Sequence, residues 1–234
     1  MWKTGILIAT GLVPLLGLFS EPPGVMALLY SLFVAAFILR KQARTIFQKL
    51  PGARVVKVTV LFLLAGVLTE TLAWLDNYLK AAREPALFHP QLLADLIIGT
   101  GFYGGWAAAW LIVMRWFRFS VKEAFLVTGL QGIFFEQLGA VFVAMLAALS
   151  SNPVAAVLLG VYVFLVHGSV AGLAIIPIEA DADRRKLSSH WVRFLLVIAL
   201  MVSLAFTGCA IVGLVSGFFG GLPPKRSIVE HPFW

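Results

Sequence analysis

Residues 154–176 read VAAVLLGVYVFLVHGSVAGLAII, and this stretch decides the fold class. Its 23 residues include no Asp, Glu, Lys or Arg. The apolar core of a bilayer is about 30 Å thick and is crossed by about 20 apolar residues in a helix. The stretch therefore predicts a transmembrane helix.

The composition of the whole chain leads to the same class. Of its 234 residues, 61% are hydrophobic and 12% are charged, and the mean hydropathy is +0.96. Soluble domains carry about 25% charged residues, and disordered chains combine low hydrophobicity with high net charge, so both classes are excluded. The net charge of +7 does not indicate nucleic-acid binding, because the basic residues lie between apolar segments and form no single solvated face.

Seven apolar segments follow one another along the chain: 4–20, 25–39, 58–78, 92–114, 121–149, 154–176 and 192–217. The first two are short and closely spaced, which predicts a helical hairpin. Lys3 before an apolar stretch is also a feature of signal peptides, but Leu18 stands where a small residue is expected before a cleavage site, so we expect a retained helix. Together the segments predict an all-α, polytopic bundle of seven transmembrane helices, forming a single domain over residues 1–234.

Lys and Arg are distributed unequally between the two sides that seven crossings define. One side carries 14 of them, and the other carries only Lys80, Arg83, Lys225 and Arg226. Because cytoplasmic loops are enriched in basic residues, we expect a cell-membrane protein with a cytoplasmic amino terminus and an external carboxyl terminus.

Two connecting regions have distinct patterns. Residues 40–50 place apolar side chains such as Ile46 and Phe47 opposite a basic face at helical spacing. This pattern predicts a short interfacial helix on the cytoplasmic surface that ends at Pro51, although a solvated connector is an alternative. The run at 179–186 is mixed in charge and is interpreted as a solvated cytoplasmic loop.

Glycine spacing predicts close helix packing. Pairs four residues apart occur at 101 and 105, 168 and 172, and 213 and 217. Such small-xxx-small pairs let helix backbones approach closely in lipid. Gly99, Gly101 and Gly104 also match a dinucleotide-binding pattern, but no strand precedes them, so packing is the better interpretation.

Ionisable residues inside the apolar segments are the candidate site. Each costs about 3 kcal/mol at the bilayer centre, so it must face protein or water. We predict Glu70, Glu136 and His167 as catalytic residues, with Glu136 and His167 at the same depth near the midplane. A structural interpretation is also open for each of them, since buried polar side chains hydrogen bond across helices.

Helical phase supplies the remaining candidates. Trp74 and Asn77 follow Glu70 on one face, and Asp95 shares a face with Trp106 on the next segment, so these four are predicted to bind substrate. We expect a cavity that opens at the outer surface, where Asp95, Asp76 and Asn77 form its rim. The spacing matches no known metal-ligand set, so neither a metal nor another cofactor is predicted.

Three functions are compatible with these residues. The preferred one is an enzyme that uses acid–base chemistry on a lipid-soluble substrate, an isoprenoid or a lipid. A non-catalytic subunit or assembly factor of a membrane complex is an alternative. A proton-linked transporter is another, disfavoured because the sequence has no inverted repeat and no paired broken helices. Membrane lipid and other membrane proteins are the expected partners, and nucleic acid is not.

Overall fold

The computed structural model describes residues 2–178 and 190–234, and all regular structure in these ranges is helical. The helices are α1 (Trp2–Leu12), which continues as a 3₁₀ helix (Val13–Phe19), α2 (Leu28–Ile38), α3 (Arg40–Lys49), α4 (Arg54–Leu79), α5 (Leu92–Val113), α6 (Val121–Phe135), a 3₁₀ turn (Glu136–Gly139), α7 (Ala140–Leu149), α8 (Pro153–Ile175) and α9 (His190–Phe218). The charged run at 179–186 lies outside the described residues.

Five helical segments are long and apolar enough to cross a bilayer: Arg54–Leu79, Leu92–Val113, Val121–Leu149, Pro153–Ile175 and Trp191–Phe218. Two further segments, Thr4–Phe19 and Leu28–Ile38, are apolar but shorter. The all-helical prediction is confirmed for the described residues, and the five long segments indicate a membrane location.

Local sequence explains where two of the long helices begin. The Ser120 hydroxyl accepts the Glu123 N–H at 3.2 Å, and the Glu123 carboxylate accepts the Ser120 N–H at 2.9 Å, which forms a capping box at the start of α6. The Asn152 side chain accepts the Ala155 N–H at 3.1 Å, and Pro153 occupies the first turn of α8. These caps fix the two helices that carry part of the candidate site.

The amino-terminal hairpin and the short amphipathic helix are both formed. The hydroxyl groups of Thr10 in α1 and Tyr30 in α2 hydrogen bond at 3.1 Å. Asp76 of α4 accepts the N–H groups of Val25 and Met26 at 2.8 and 3.3 Å, just before α2 begins. Asp76 is also ion-paired with Lys80, so this carboxylate has a structural role.

Close backbone contact between α5 and α9 holds the centre of the bundle together. A Cβ atom on Gly208 would lie 2.0 Å from the Gly101 carbonyl oxygen, and one on Gly105 would lie 2.2 Å from the Leu204 carbonyl oxygen. No side chain fits at these positions. The predicted packing role of the glycines at 101 and 105 is confirmed.

The other two glycine pairs differ from each other. A Cβ atom on Gly168 or Gly172 would lie within 3 Å of Phe125 or Phe33, so this pair also serves close packing. Gly213 and Gly217 have no such neighbour within 4 Å in the described residues. The predicted packing of the last pair is therefore not seen among the described residues, because both glycines lie on the exposed face of α9.

We expect Gly208→Ala to destabilise the bundle and Gly213→Ala, on the same helix, to leave its stability nearly unchanged. The methyl group at 208 forces α5 and α9 apart, which costs about 2 kcal/mol, whereas at 213 it meets open space. Thermal unfolding in detergent, followed by circular dichroism, should show a Tm lower by about 4–8 °C for Gly208→Ala. Equal Tm values for the two variants would rule out the close contact.

Candidate functional site

The segment predicted as one helix over 121–149 is broken in the middle. Three consecutive residues between α6 and α7 have positive φ: Gln137 (48°), Leu138 (59°) and Gly139 (89°). Left-handed backbone costs a residue other than glycine about 1–2 kcal/mol, so two residues here are strained. Such strain is often found at functional sites, which makes the break a candidate for function.

Small residues of α6 before the break bring this helix against α8. Gly129 and Gly132 do leave room for another helix, because Cβ atoms there would lie 2.6 Å from the Phe164 ring and 2.3 Å from the His167 ring of α8. Glu136 lies on the same face one turn later, because its N–H donates to the Gly132 carbonyl oxygen and its side chain contacts the same His167 ring, and the chain changes direction only after it. The length of the 121–149 segment already indicated a break in the helix. A continuous helix of 29 residues would measure about 44 Å, far more than the bilayer core.

Glu136 and His167 meet at this break. The His167 Nε2 atom lies 2.7 Å from the Glu136 Oε2 atom, and the His167 Nδ1 atom lies 3.1 Å from the Val163 carbonyl oxygen. The side chains are 35% exposed for Glu136 and 18% exposed for His167. The two residues predicted to share a depth are thus in direct contact and partly accessible.

The hydrogen bonds restrict where the proton of this pair can be. A carbonyl oxygen only accepts, so Nδ1 of His167 carries a hydrogen and donates it to Val163. Nε2 then either accepts a hydrogen from a protonated Glu136 or, in an imidazolium, donates one to the carboxylate. In both states the pair holds one transferable proton and has no net charge, which suits an apolar environment.

Glu70 belongs to a second polar cluster, between α4 and α5. The Tyr103 hydroxyl donates to Glu70 Oε1 at 2.6 Å. Gly66 accommodates the Tyr103 ring, and Gly99 accommodates the Glu70 side chain, since Cβ atoms at these glycines would lie 2.3 and 3.3 Å from them. Sequence reasoning missed Tyr103, although it follows Asp95 and Gly99 at intervals of four residues on one face of α5.

Asp95 lies within electrostatic reach of Glu70 and completes this cluster. Its side chain is fully buried, and its Oδ1 atom accepts the His89 N–H at 2.9 Å. The Oδ2 atom has no hydrogen-bond donor among the described residues. A buried carboxylate oxygen without a donor is costly, so the cluster is balanced by a proton or a water molecule.

A narrow crevice between α4 and α5 leads to Glu70. Its free volume is about 10 Å³, and its walls are formed by Leu63, Gly66, Val67, Leu96, Gly99, Thr100 and Tyr103. That volume is about the space of one water molecule. The structure therefore places Glu70 and Asp95 in one small cluster, and Glu136 and His167 in another.

The carboxyl end of α4 and the amino end of α5 are covered by a lid, which we define as residues 220–234. The first N–H groups of α5, from Leu92 and Leu93, donate to the carbonyl oxygens of Pro232 and Phe233 at 3.0 and 3.1 Å. The buried Gln91 side chain donates to the His231 carbonyl oxygen at 2.9 Å. The predicted open rim at Asp95 is therefore wrong, because the lid covers this position.

Two of the predicted substrate-binding residues, Trp74 and Asn77, hydrogen bond to neighbouring loop segments. Trp74 donates from Nε1 to the Pro90 carbonyl oxygen at 3.0 Å and stacks on Phe233 of the lid. Asn77 holds the loop after α4 by accepting the Ala86 N–H at 3.3 Å. Trp106 is buried in the core, and its indole Nε1 atom has no hydrogen-bond partner among the described residues.

Within residues 2–178 and 190–234, no group of three or more His, Cys, Asp or Glu side chains is arranged to hold a metal ion. A separate apolar groove of about 480 Å³ lies between α1, its 3₁₀ extension and α2, with Leu72 of α4 at one wall. It includes no residue of either polar cluster.

Comparison of the chain with protein-family models, with curated proteins and with solved structures finds no match.

The hydrogen bonds of the His89 ring predict that the stability of the lid depends on pH. Its Nε2 atom lies 3.0 Å from the Pro223 carbonyl oxygen, and its Nδ1 atom accepts the Gln91 N–H at 3.2 Å, so the neutral ring makes both hydrogen bonds. Burial, aided by the nearby charge of Lys225 and opposed by the Pro223 carbonyl, lowers the pKa of His89 below its ordinary value of 6.5. The stability that neutral His89 contributes is present above pH 6.5 and is lost as the pH falls through the lowered pKa.

Hydrogen exchange of the Leu92 and Leu93 amides should therefore become faster as the pH is lowered below 6.5, after correction for the intrinsic exchange rate. His89→Gln should remove this pH dependence, and His231→Gln, at an exposed ring in the lid, should retain it. A profile that is unchanged in His89→Gln would show that another group controls the lid.

Proposed function

We propose that this chain is an integral membrane enzyme that carries out acid–base chemistry on a lipid-soluble substrate, an isoprenoid or a lipid. The observation that carries the proposal is the Glu136–His167 hydrogen bond of 2.7 Å at a strained break between α6 and α7. A carboxyl–imidazole pair of this kind can deliver and recover a proton, and general acid–base catalysis of this type contributes about 10²–10⁴-fold to a rate.

The accessibility of the pair supports an apolar substrate. Leu138 of the break is 83% exposed, and Phe134 and Phe135 before it are about half exposed. In a membrane these positions face lipid or a bound molecule. A lipid-soluble substrate would reach Glu136 laterally from the bilayer, without passing the closed lid.

The roles of the two residues follow from their bonding. The hydrogen bond from His167 Nδ1 to the Val163 carbonyl oxygen orients the ring so that Nε2 points to Glu136. Glu136, the more exposed partner, is the acid that touches substrate, and His167 returns the proton to it. We propose that the Glu70, Asp95 and Tyr103 cluster is a second proton-holding site of the same enzyme, reached from lipid by the crevice between α4 and α5.

We also propose that the chain crosses the membrane seven times, with its amino terminus in the cytoplasm. Support comes from the first apolar segment: α1 has 11 residues and its 3₁₀ extension has 7. At 1.5 and 2.0 Å per residue they reach about 30 Å together, the thickness of the bilayer core. The asymmetry of Lys and Arg supports the orientation.

A proton-linked transporter is the second candidate, favoured by the break itself. Carriers often bind ions at discontinuous helices near the midplane, and Glu136 stands at such a discontinuity. The sequence has no second broken segment in a corresponding position, which is why we place the enzyme first. A subunit of a larger complex would use neither pair for proton transfer.

Deuterium labelling tests the enzyme proposal without knowledge of the substrate. The purified chain is reconstituted into vesicles of total lipid extract from its expression host and incubated in D₂O, and carbon-bound deuterium in lipids is measured by mass spectrometry. We expect labelled lipid species that depend on the chain. Glu136→Gln and His167→Asn should lower the labelling by at least about 100-fold.

Glu230→Gln, at an exposed carboxylate in the lid, is the matched control and should retain full labelling. Vesicles loaded with a pH-sensitive dye distinguish the transporter, which would dissipate a proton gradient in a Glu136-dependent way without labelling any lipid. Equal labelling with and without the chain, in vesicles where it is folded, would refute the enzyme.

A further inference from the structure

The Glu136–His167 pair lies deep in the membrane. His167 is about 21 Å from the amino end of α8, which is more than half of the bilayer core. A proton that leaves this pair with a product is replaced from water, and the bilayer core holds none. The proposed chemistry therefore needs a route for protons through the protein.

Two carboxyl groups lie at intermediate depths between this pair and the lid. Asp95 is in the first turn of α5, about 5 Å from its amino end, and Glu70 is about 14 Å from the carboxyl end of α4. The lid covers both of these helix ends. Helix α8 begins on the same side, because Tyr162 in its first half lies within electrostatic reach of Asp76 near the end of α4. The carboxyl groups therefore form a series of increasing depth that leads from the lid towards the pair.

The carboxyl groups of Asp95 and Glu70 interact directly with each other. The Oδ1 atom of the buried Asp95 accepts the His89 N–H, but the Oδ2 atom has no donor among the described residues. Two adjacent carboxyl groups repel each other when both are charged, so they hold one proton between them. That proton supplies the missing donor, and Lys225 of the lid offsets part of the remaining negative charge.

Glu70 is the deeper member of the series. Its Oε1 atom accepts the Tyr103 hydroxyl at 2.6 Å, so the Oε2 atom is left to transfer a proton. The charge of Glu136 acts on both Glu70 and Tyr103, and α4 and α6 pack against the same helix, α8. The crevice beside Glu70 has a free volume of about 10 Å³, about the space of one water molecule. A water molecule there can accept the proton from Glu70.

We infer that Asp95 and Glu70 carry protons between the water on the lid side of the membrane and the Glu136–His167 pair. Asp95 takes a proton from water when the lid opens, Glu70 takes it from Asp95, and the water molecule in the crevice passes it to Glu136. After one transfer the two carriers and the water molecule have their original protons, and the pair has gained one. A proton leaves the pair by the same steps in reverse. The inference rests on the proposed function, to which it adds the source of the proton.

Solvent exchange of the pair tests this route without a substrate. Histidine-labelled protein in lipid bilayers is transferred to D₂O, and the loss of the His167 N–H signals is followed by solid-state NMR. Glu70→Gln and Asp95→Asn should each slow this loss by at least about 10-fold, because each removes one carrier. Glu230→Gln, at an exposed carboxylate in the lid, is the matched control and should exchange at the rate of the unaltered chain.

The direction of the change separates a proton carrier from a structural role. A glutamine at position 70 still accepts the Tyr103 hydroxyl, so Glu70→Gln preserves this contact. Loss of a merely structural contact would admit water and speed the exchange. Equal or faster exchange in folded Glu70→Gln or Asp95→Asn protein, with circular dichroism as the check on folding, overturns the inference.

The lid provides an independent check. Phe233→Ala removes the ring that stacks on Trp74 and should speed the exchange severalfold in the otherwise unaltered chain. Combined with Asp95→Asn it should leave the exchange slow, since the carrier under the lid is then absent. Faster exchange in both backgrounds would show that protons reach the pair without Asp95, and would overturn the inference.

The lipid labelling described above keeps this inference distinct from the proposed function. Slow exchange in Glu70→Gln, together with no labelled lipid in any sample, would refute the enzyme but not the route. Labelled lipid with the unaltered chain, together with unchanged exchange in Glu70→Gln, would refute the route but not the enzyme.

Discussion

The core of a bilayer supplies no hydrogen-bond partners, so a chain that crosses it must satisfy its own polar groups. This constraint explains most of the interactions described above. The hydroxyl groups of Thr71, Thr100 and Thr207 donate hydrogen bonds to carbonyl oxygens of their own helices. The Tyr103 hydroxyl donates a hydrogen bond to Glu70. The Val163 carbonyl oxygen and the Glu136 carboxyl group hydrogen bond to the two ring nitrogens of His167. The buried Oδ2 atom of Asp95 departs from this rule, since it has no hydrogen-bond donor among the described residues.

The same constraint separates the acidic residues into two clusters. A large water-filled cavity would satisfy them all, but the glycines at 66, 99, 101 and 132 bring helices too close for one to form around them. Each carboxylate is therefore matched with a specific neighbour. Glu136 has an imidazole, and Glu70 has a phenol with a second carboxyl group nearby. Such pairs retain a proton that can be moved, which is what acid–base chemistry in lipid requires.

Periodicity and length predicted most of the scaffold, because a membrane helix must be long and apolar all along its length. They located α4, α5, α8 and α9 closely and indicated that Glu136 and His167 share a depth. They failed at the break, where Gln137, Leu138 and Gly139 all adopt positive φ, and where contacts join distant parts of the sequence. The lid over Asp95 depends on carbonyl groups of Pro232 and Phe233, and backbone carbonyls leave no pattern in a sequence.

We propose that Glu136 and His167 share one proton across their hydrogen bond in the membrane. Solid-state nitrogen-15 NMR of histidine-labelled protein in lipid bilayers tests it directly, and a His167→Asn spectrum identifies the His167 signals among the four histidines. We expect a protonated Nδ1 and a hydrogen-bonded Nε2, with only the Nε2 signal shifting strongly in Glu136→Gln. A Nε2 signal that is the same with Glu136 and with Gln at this position would contradict it.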